Sequence, residues 1–193
     1  MPQLDGSIAL PGLAAQVRVK RDAWGRPHIT ASSVEDMAMA QGYVTAQDRL
    51  WQMDVLRRVG EGEISEVVGV GPRGVALTSD RLFRTYGIKQ AAERDAAALD
   101  PESRALFEAY ARGVNAFIAS HQNRLPWEFV ALGYKPRPWT PADSLAIVGY
   151  MCRTLSNTWP QEIDRAWVTQ KVGPDRAAQL FSQDSPDDRV IVG

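Results

Sequence analysis

Two histidines, His28 and His121, and one cysteine, Cys152, are all the imidazole and thiol groups the chain possesses. His28 follows Pro27 at the start of a strand-like stretch. A hydrogen-bonded structural imidazole is the plain reading there and a general base the sharper one, but no serine or cysteine nucleophile stands near it. His121 follows Ser120 at a helix end, where a cation meets the terminal carbonyls favourably. Cys152 closes the apolar run from Ser144, the setting of an inert core thiol. Gly69, Gly71 and Gly74 spell Gly-x-Gly-x-x-Gly, the dinucleotide-binding pattern. The residues before it, Ile64, Val67 and Val68, have helical spacing, Pro72 removes an amide, and no βαβ unit follows, so the glycines read as an ordinary loop. Gly-x-Ser-x-Gly, His-Glu-x-x-His, Walker and EF-hand patterns are absent from the sequence. A lone cysteine excludes an internal disulfide framework and a Cys-clustered zinc site.

The stretch Ala46-Gln47-Asp48-Arg49-Leu50-Trp51-Gln52-Met53-Asp54 is dense in polar groups for a helix that also carries core residues. Asp48 and Arg49 are adjacent and face different ways, so each needs its own partner if buried. The stretch is either a solvated helix face or a polar scaffold beneath a site on another segment.

The elements that must position these groups are mostly helical. Arg18 to Arg21 alternates with Val17 and Val19 as a half-buried strand does, Asp22 to Pro27 has turn chemistry, and His28 to Ala31 returns, which predicts a hairpin. Ser33 with Asp36 starts a long helix through Met37, Ala40, Tyr43, Leu50 and Val55, and Gly60 and Gly62 end it. Asp100-Pro101 and Thr140-Pro141-Ala142-Asp143 set a capping side chain before proline at the first helical position, predicting helices to about Ser120 and about Leu155. Gln161 to Lys171 and Pro174 to Phe181 are shorter helical candidates.

Composition bounds the rest. With 22 basic and 23 acidic residues among 193, the net charge is −1, and a chain without a broad basic field is not built chiefly to bind nucleic acid. Ser144 to Cys152, the longest uncharged apolar run, is half of the roughly 18 residues a bilayer span requires, so no membrane partner is expected. Met1 to Leu13 lacks the layout of a secretory signal, which suits a cytoplasmic chain or one already trimmed. Trp24, Trp127, Trp139 and Trp159 fall in predicted loops. Burying such rings takes either a fold back onto the chain's own core, the commoner case, or a partner surface. The apolar end, Arg189 to Gly193, likewise wants something to pair with.

The strings themselves are informative. Val17-Arg18-Val19-Lys20-Arg21-Asp22-Ala23-Trp24-Gly25-Arg26-Pro27-His28-Ile29 resembles the opening segment of the penicillin amidase (penicillin acylase) family. Gln41-Gly42-Tyr43-Val44-Thr45-Ala46-Gln47-Asp48-Arg49-Leu50-Trp51-Gln52-Met53 is similar to that family's best-known helix. Gly62-Glu63-Ile64-Ser65-Glu66, Gly113-Val114-Asn115-Ala116-Phe117, Leu125-Pro126-Trp127-Glu128-Phe129 and Trp139-Thr140-Pro141-Ala142-Asp143 match further positions in family order, over about residues 13 to 172.

The resemblance implies an N-terminal-nucleophile hydrolase, made as a precursor that cuts itself into a smaller α chain and a larger β chain, with this sequence similar to the α chain alone. It implies a four-layer αββα fold of the α+β class, with residues 1–193 giving one mostly helical subunit with N-terminal edge strands, and residues 182–193 a tail near the self-processing point. Gly193 fits a family in which glycine commonly precedes the nucleophilic serine. No catalytic residue is expected on this chain: the β chain's first residue, a serine, attacks, its own amine (pKa about 7.7–8.0) serves as base, and β-chain donors stabilise the oxyanion.

By position, Met151 matches a pocket methionine, and Arg153-Thr154-Leu155-Ser156 matches a pocket arginine and aromatic. Leu155 stands where the family has phenylalanine, which changes the pocket's shape and its fit to phenylacetyl groups. By spacing alone, Met151 and Leu155 could equally be core residues on an apolar helix face. Glu162 matches the family's calcium-binding glutamate, calcium then being structural and shared with the β chain; by its own context it is a helix N-terminal charge able to pair with Arg165. The activity implied is hydrolysis of a linear acyl amide, such as the side chain of penicillin G, by an obligate heterodimer located in the periplasm after loss of a signal. An acylase for acyl-homoserine lactones or aliphatic acyl chains is the alternative within the family, and a non-catalytic helical scaffold the alternative outside it.

Overall fold

The computed structural model describes residues 5–156 and 158–181, as two compact units, Met1–Met151 and Cys152–Gly193. The 182–193 tail lies outside the described residues. The first unit opens with the predicted hairpin. β1 (Arg18–Arg21) pairs antiparallel with β2 (Pro27–Thr30), Val19 opposite Ile29. Asp22 builds the turn: its Oδ1 accepts the amides of Trp24 and Arg26, both at 2.9 Å.

α1 (Val34–Glu61) starts where Ser33 Oγ accepts the Asp36 amide at 3.1 Å and ends at Gly62, whose left-handed φ of 71° lets its amide reach back to Val59. The Asp36 carboxylate has a further use that spacing did not reveal. It accepts the amides of Ala14 and Ala15 at 2.9 and 3.1 Å and so ties the N-terminal segment to the helix. The helix is broken at Arg49 (φ −142°, ψ 19°), beside the residues that Arg21 of β1 grips.

Next come α2 (Ser65–Val68), a 3-10 turn over Pro72–Gly74, α3 (Val75–Tyr86) and α4 (Ile88–Ala98). The sequence carried no start signal for α3 or α4, because both begin after a left-handed glycine, Gly74 or Gly87, with no side-chain cap. The loop reading of Gly69, Gly71 and Gly74 agrees with the structure, in which helix rather than strand precedes them. α5 (Pro101–Ser120) has the cap predicted for it, Asp100 Oδ1 accepting the amides of Glu102 and Ser103 at 3.0 Å each.

α5 crosses α1, and the core forms at the crossing and beside it: Tyr43, Ala46, Leu50 and Met53 with Val114, Phe117, Phe129 and Trp139. Two glycines set the approach of the helices. A Cβ on Gly42 would lie 2.1 Å from the Tyr110 carbonyl oxygen, and one on Gly113 would lie 1.9 Å from that of Met39. Tyr43 and Phe117 meet edge to face, centroids 5.6 Å apart.

α6 (Trp127–Leu132) follows, a short helix the sequence did not announce. α7 (Pro141–Leu155) begins at the predicted proline, with the cap inverted: Thr140 donates its hydroxyl (2.7 Å) and amide (2.6 Å) to Asp143 Oδ2. The division between the units falls inside α7. In the second unit, α8 (Trp159–Val172) and α9 (Pro174–Leu180) pack on one another, with Arg165 over the Phe181 ring and Lys171 over Trp167.

Three expectations need correcting. Of the four tryptophans assigned to loops, only Trp139 folds into the core; Trp24 and Trp127 are about three-quarters exposed, and Trp159 is exposed as well. Trp127 and Trp159 also open helices α6 and α8 rather than lying in loops. Cys152, expected as a core thiol, is exposed. The apolar run around it forms a helix whose outer face, with Val148 and Leu155, no described residue covers.

Candidate functional site

The first unit holds a dense buried charge cluster. Asp54 and Arg57, one turn apart on α1, are fully buried, and Arg57 gives two hydrogen bonds to Asp54 Oδ1, at 2.5 and 2.9 Å. Arg57 also reaches Asp143 of α7 at 3.3 Å, the carbonyls of Arg137 and Pro138 at 2.9 and 3.3 Å, and the face of Trp139. Arg58 Nε and the Tyr134 hydroxyl donate to Asp54 Oδ2 at 2.9 and 2.7 Å. Arg137 bonds both Asp143 (2.6 Å) and Glu61. Buried charges persist where every one is paired and hydrogen-bonded, and this set meets that condition.

The electrostatics follow. Burial would raise the Asp54 carboxyl, yet the Arg57 charge, the Tyr134 hydroxyl and Arg58 together hold it below the ordinary carboxylate range. Burial, and the bond to Asp54, push the Tyr134 hydroxyl upward. Burial also pushes Glu61 up to about 7, against the pull of Arg137. A fully paired cluster of this kind holds elements together; it leaves no free nucleophile and no open position for a substrate. It fastens α1 to the 134–139 loop and to the start of α7.

The polar stretch 46–54 is therefore divided between surface and interior. Asp48 and Arg49 are on the surface, Asp48 taking two hydrogen bonds from Arg21 at 2.8 and 2.9 Å, whereas Asp54 is part of the buried scaffold. Of this cluster sequence reasoning singled out only Asp54, and it missed Arg57, Arg58, Glu61, Tyr134, Arg137 and Asp143 as members. The one available signal was that Asp54, Arg57 and Glu61 continue the helix face of Leu50 and Met53.

The remaining candidates have structural surroundings. His28 is exposed, with Nε2 3.2 Å from Asp22 Oδ2. His121 stacks on Phe117, with Nδ1 3.1 Å from the Phe117 carbonyl and 3.0 Å from Ser120 Oγ; the Ser120 hydroxyl is directed at the carbonyls of Ala116 and Phe117, so the pair caps α5. A cavity of about 340 Å³ lies between the N-terminal segment, β1 and α1, lined by Ile8, Leu13, Val17, Arg18, Tyr43 and Gln47 among others.

The predicted substrate residues share one helix. Met151, Arg153, Thr154 and Leu155 occupy the last two turns of α7. Met151 and Leu155 are exposed, Leu155 at 77%, so neither belongs to the core, and Arg153 is half-buried. Glu162 is exposed in the first turn of α8. Calcium takes six to eight oxygens, and among the described residues no group of three His, Cys, Asp or Glu side chains could hold a metal ion. The described residues do not make a calcium cage by themselves.

Comparison with known proteins decides the family. A family model described as penicillin amidase matches residues 16–187. The chain belongs to the penicillin amidase family. Its relatives include the penicillin acylase 2 proenzyme of Pseudomonas sp. (strain SE83), 38% identical over the whole of this chain and 24% of that protein. The acyl-homoserine lactone acylase QuiP of Pseudomonas aeruginosa is also 38% identical, over 93% of this chain and 21% of that one. The penicillin G acylase of Escherichia coli is 32% identical, over 91% and 22%.

Among solved structures, a thermostable penicillin G acylase from Alcaligenes faecalis superposes with a TM-score of 0.75 at 31% identity, covering 92% of this chain and 97% of that one. The chain thus spans about a quarter of the length of the curated penicillin amidase relatives it matches. Mostly helical, with one small two-stranded sheet among the described residues, it is structurally similar to a penicillin G acylase. Among the described residues no helix is long and apolar enough to cross a membrane.

Proposed function

We propose that this chain is the α subunit of a penicillin acylase-like amidohydrolase that cleaves a linear acyl amide to a carboxylic acid and an amine. One observation carries the reading: the chain matches nearly all of one chain of a solved penicillin G acylase, yet only about a quarter of the curated relatives. The remaining length is the β chain, which completes the four-layer αββα fold in an obligate heterodimer. Residues 1–193 form one subunit of that composite domain.

The chemistry resides on the β chain. Its N-terminal serine Oγ attacks the amide carbonyl, and the serine's own amine takes the hydroxyl proton and passes it to the departing amine. Water then hydrolyses the acyl-enzyme, releasing the acid and restoring the hydroxyl. The α chain shapes the acyl pocket with Met151, Arg153, Thr154 and Leu155 at the end of α7, of which Met151 and Leu155 are exposed and Arg153 half-buried. Glu162 gives one carboxylate to a structural calcium ion, and the other oxygens come from outside the described residues. The mature protein works in the periplasm.

A second reading is favoured by the QuiP relatives and by Leu155: an acylase for acyl-homoserine lactones, whose aliphatic chain suits a leucine-lined pocket. The test is expression of the chain alone and together with its precursor's remaining sequence, followed by assay of phenylacetyl and long-chain acyl amides. Turnover only in the processed two-chain form supports the reading. Turnover by this chain alone refutes it, and the ratio of the two substrates separates the specificities.

A further inference from the structure

Two glycines bring α7 unusually close to its neighbours. Gly60, in the last turn of α1, is buried, and a Cβ there would lie 2.8 Å from the Ala146 carbonyl oxygen and 3.3 Å from Tyr150 Cβ. Gly149 faces Ile88, the first residue of α4, and a Cβ on Gly149 would lie 2.9 Å from Ile88 Cγ2. Ordinary contact begins at 3.4 Å, so a methyl group on Gly149 would force a retreat of about half an ångström. Ile88 does not step aside easily. Its Cγ2 is bonded directly to Cβ, and a β-branched side chain in a helix has one strongly preferred χ1.

The helix has two unlike faces. On the inner one, Asp143 meets Arg57 and Arg137, Ala146 is buried, and the Tyr150 ring lies 5.7 Å from that of Phe83 on α3, centroid to centroid. These positions recur three and four residues apart, as one face of a helix does. Val148 and Met151 stand on the opposite face and are exposed. The charge cluster and Gly60 therefore fix the first half of α7, and Ile88 meets the helix where its second half begins. Met151 follows Gly149 by two residues on the same hydrogen-bonded rod, so a push at Gly149 is carried to Met151.

We propose that Ile88, through its contact with Gly149, is a positioning residue: it sets where Met151 stands in the acyl pocket, and so which acyl group the pocket takes. The inference rests on the pocket role proposed above for Met151. Ile88 acts through α7 and not by touching the acyl group. Small displacements suffice, because a misplacement of about 1 Å arising far from the reacting atoms costs about a hundredfold in rate.

Acyl selectivity of the processed two-chain protein tests it, read as the ratio of kcat/KM for a long-chain acyl amide to that for a phenylacetyl amide. Gly149→Ala raises helix propensity but sets a methyl group against Ile88. The ratio should change by about tenfold. Adding Ile88→Ala removes the atom the new methyl meets and should return the ratio to within about twofold of wild type, the mark of two coupled positions. Ile88→Ala by itself lets α7 close up on α4, and should move the ratio in the opposite direction to Gly149→Ala. That variant decides alone should Gly149→Ala not fold. A ratio unchanged in both single variants, an equal loss on both substrates, or a double variant that keeps the shift overturns the inference. Wild-type protein that turns over no acyl amide overturns the pocket reading and the inference with it. Wild-type turnover with unshifted selectivity in the variants overturns the inference alone.

Discussion

Met39 and Gly113 face one another across the α1–α5 crossing so closely that a methyl group on Gly113 would sit 1.9 Å from the Met39 carbonyl oxygen. Backbone lies against backbone, so no side-chain rotation can make room. Gly42 repeats the arrangement from the other side, against the carbonyl of Tyr110.

Gly113→Ala should therefore force the helices apart and open the core around Tyr43 and Phe117. The expected loss is about 3 kcal/mol, the upper end of ordinary overpacking costs, read from urea unfolding of the intact protein. A loss below half that size would mean the crossing is more yielding than its contacts indicate.

Asp54 is the carboxylate on which Arg57, Arg58 and Tyr134 converge. Asp54→Ala takes the shared carboxylate from two buried guanidinium groups, leaving Arg57 its longer contact to Asp143 and Arg58 its longer contact to Glu66, and should cost about 3–5 kcal/mol. Tyr134→Phe removes one hydrogen bond and should cost only about 1 kcal/mol. Comparable losses from the two variants would contradict the convergence.

The same carboxylate gives the protein an acid limit. Its folded-state pKa is below the ordinary value of 3.8, so its stabilisation is present above that value and disappears as pH falls through the lowered one. Acid unfolding followed by circular dichroism should be steeper in the wild type than in Asp54→Asn, which has no such proton to take up.

Leu155 is exposed near the end of α7. If it shapes the acyl pocket, Leu155→Phe should shift kcat/KM from long-chain toward phenylacetyl amides by about tenfold, the low end of what a hydrophobic pocket contact discriminates. An unchanged ratio would remove Leu155 from the pocket.

Glu162 is the carboxylate proposed above for calcium. A chelator should lower the Tm of the wild-type protein, since an ion bound to the native state alone stabilises it by mass action. Glu162→Ala should have the lower Tm with or without chelator. A variant that still responds fully would exclude Glu162 as a ligand.

The hairpin, the start of α1 at Ser33 and its end at Gly62, and the starts of α5 and α7 were all readable in the sequence. Caps and turns act within about four residues, so their chemistry is written locally. The family was readable too, because its strings recur in order along most of the chain. Helices α3 and α4 were not, since each opens after a glycine with no capping side chain to mark it. Only the tertiary structure decided that Arg57 meets Asp143, 86 residues away, that Trp139 is buried while Trp127 is not, and that Glu61 and Glu63 are gripped from two different elements. Each depends on which distant segments are brought together, and side chains that look like solvated surface in the sequence become buried only once another element covers them.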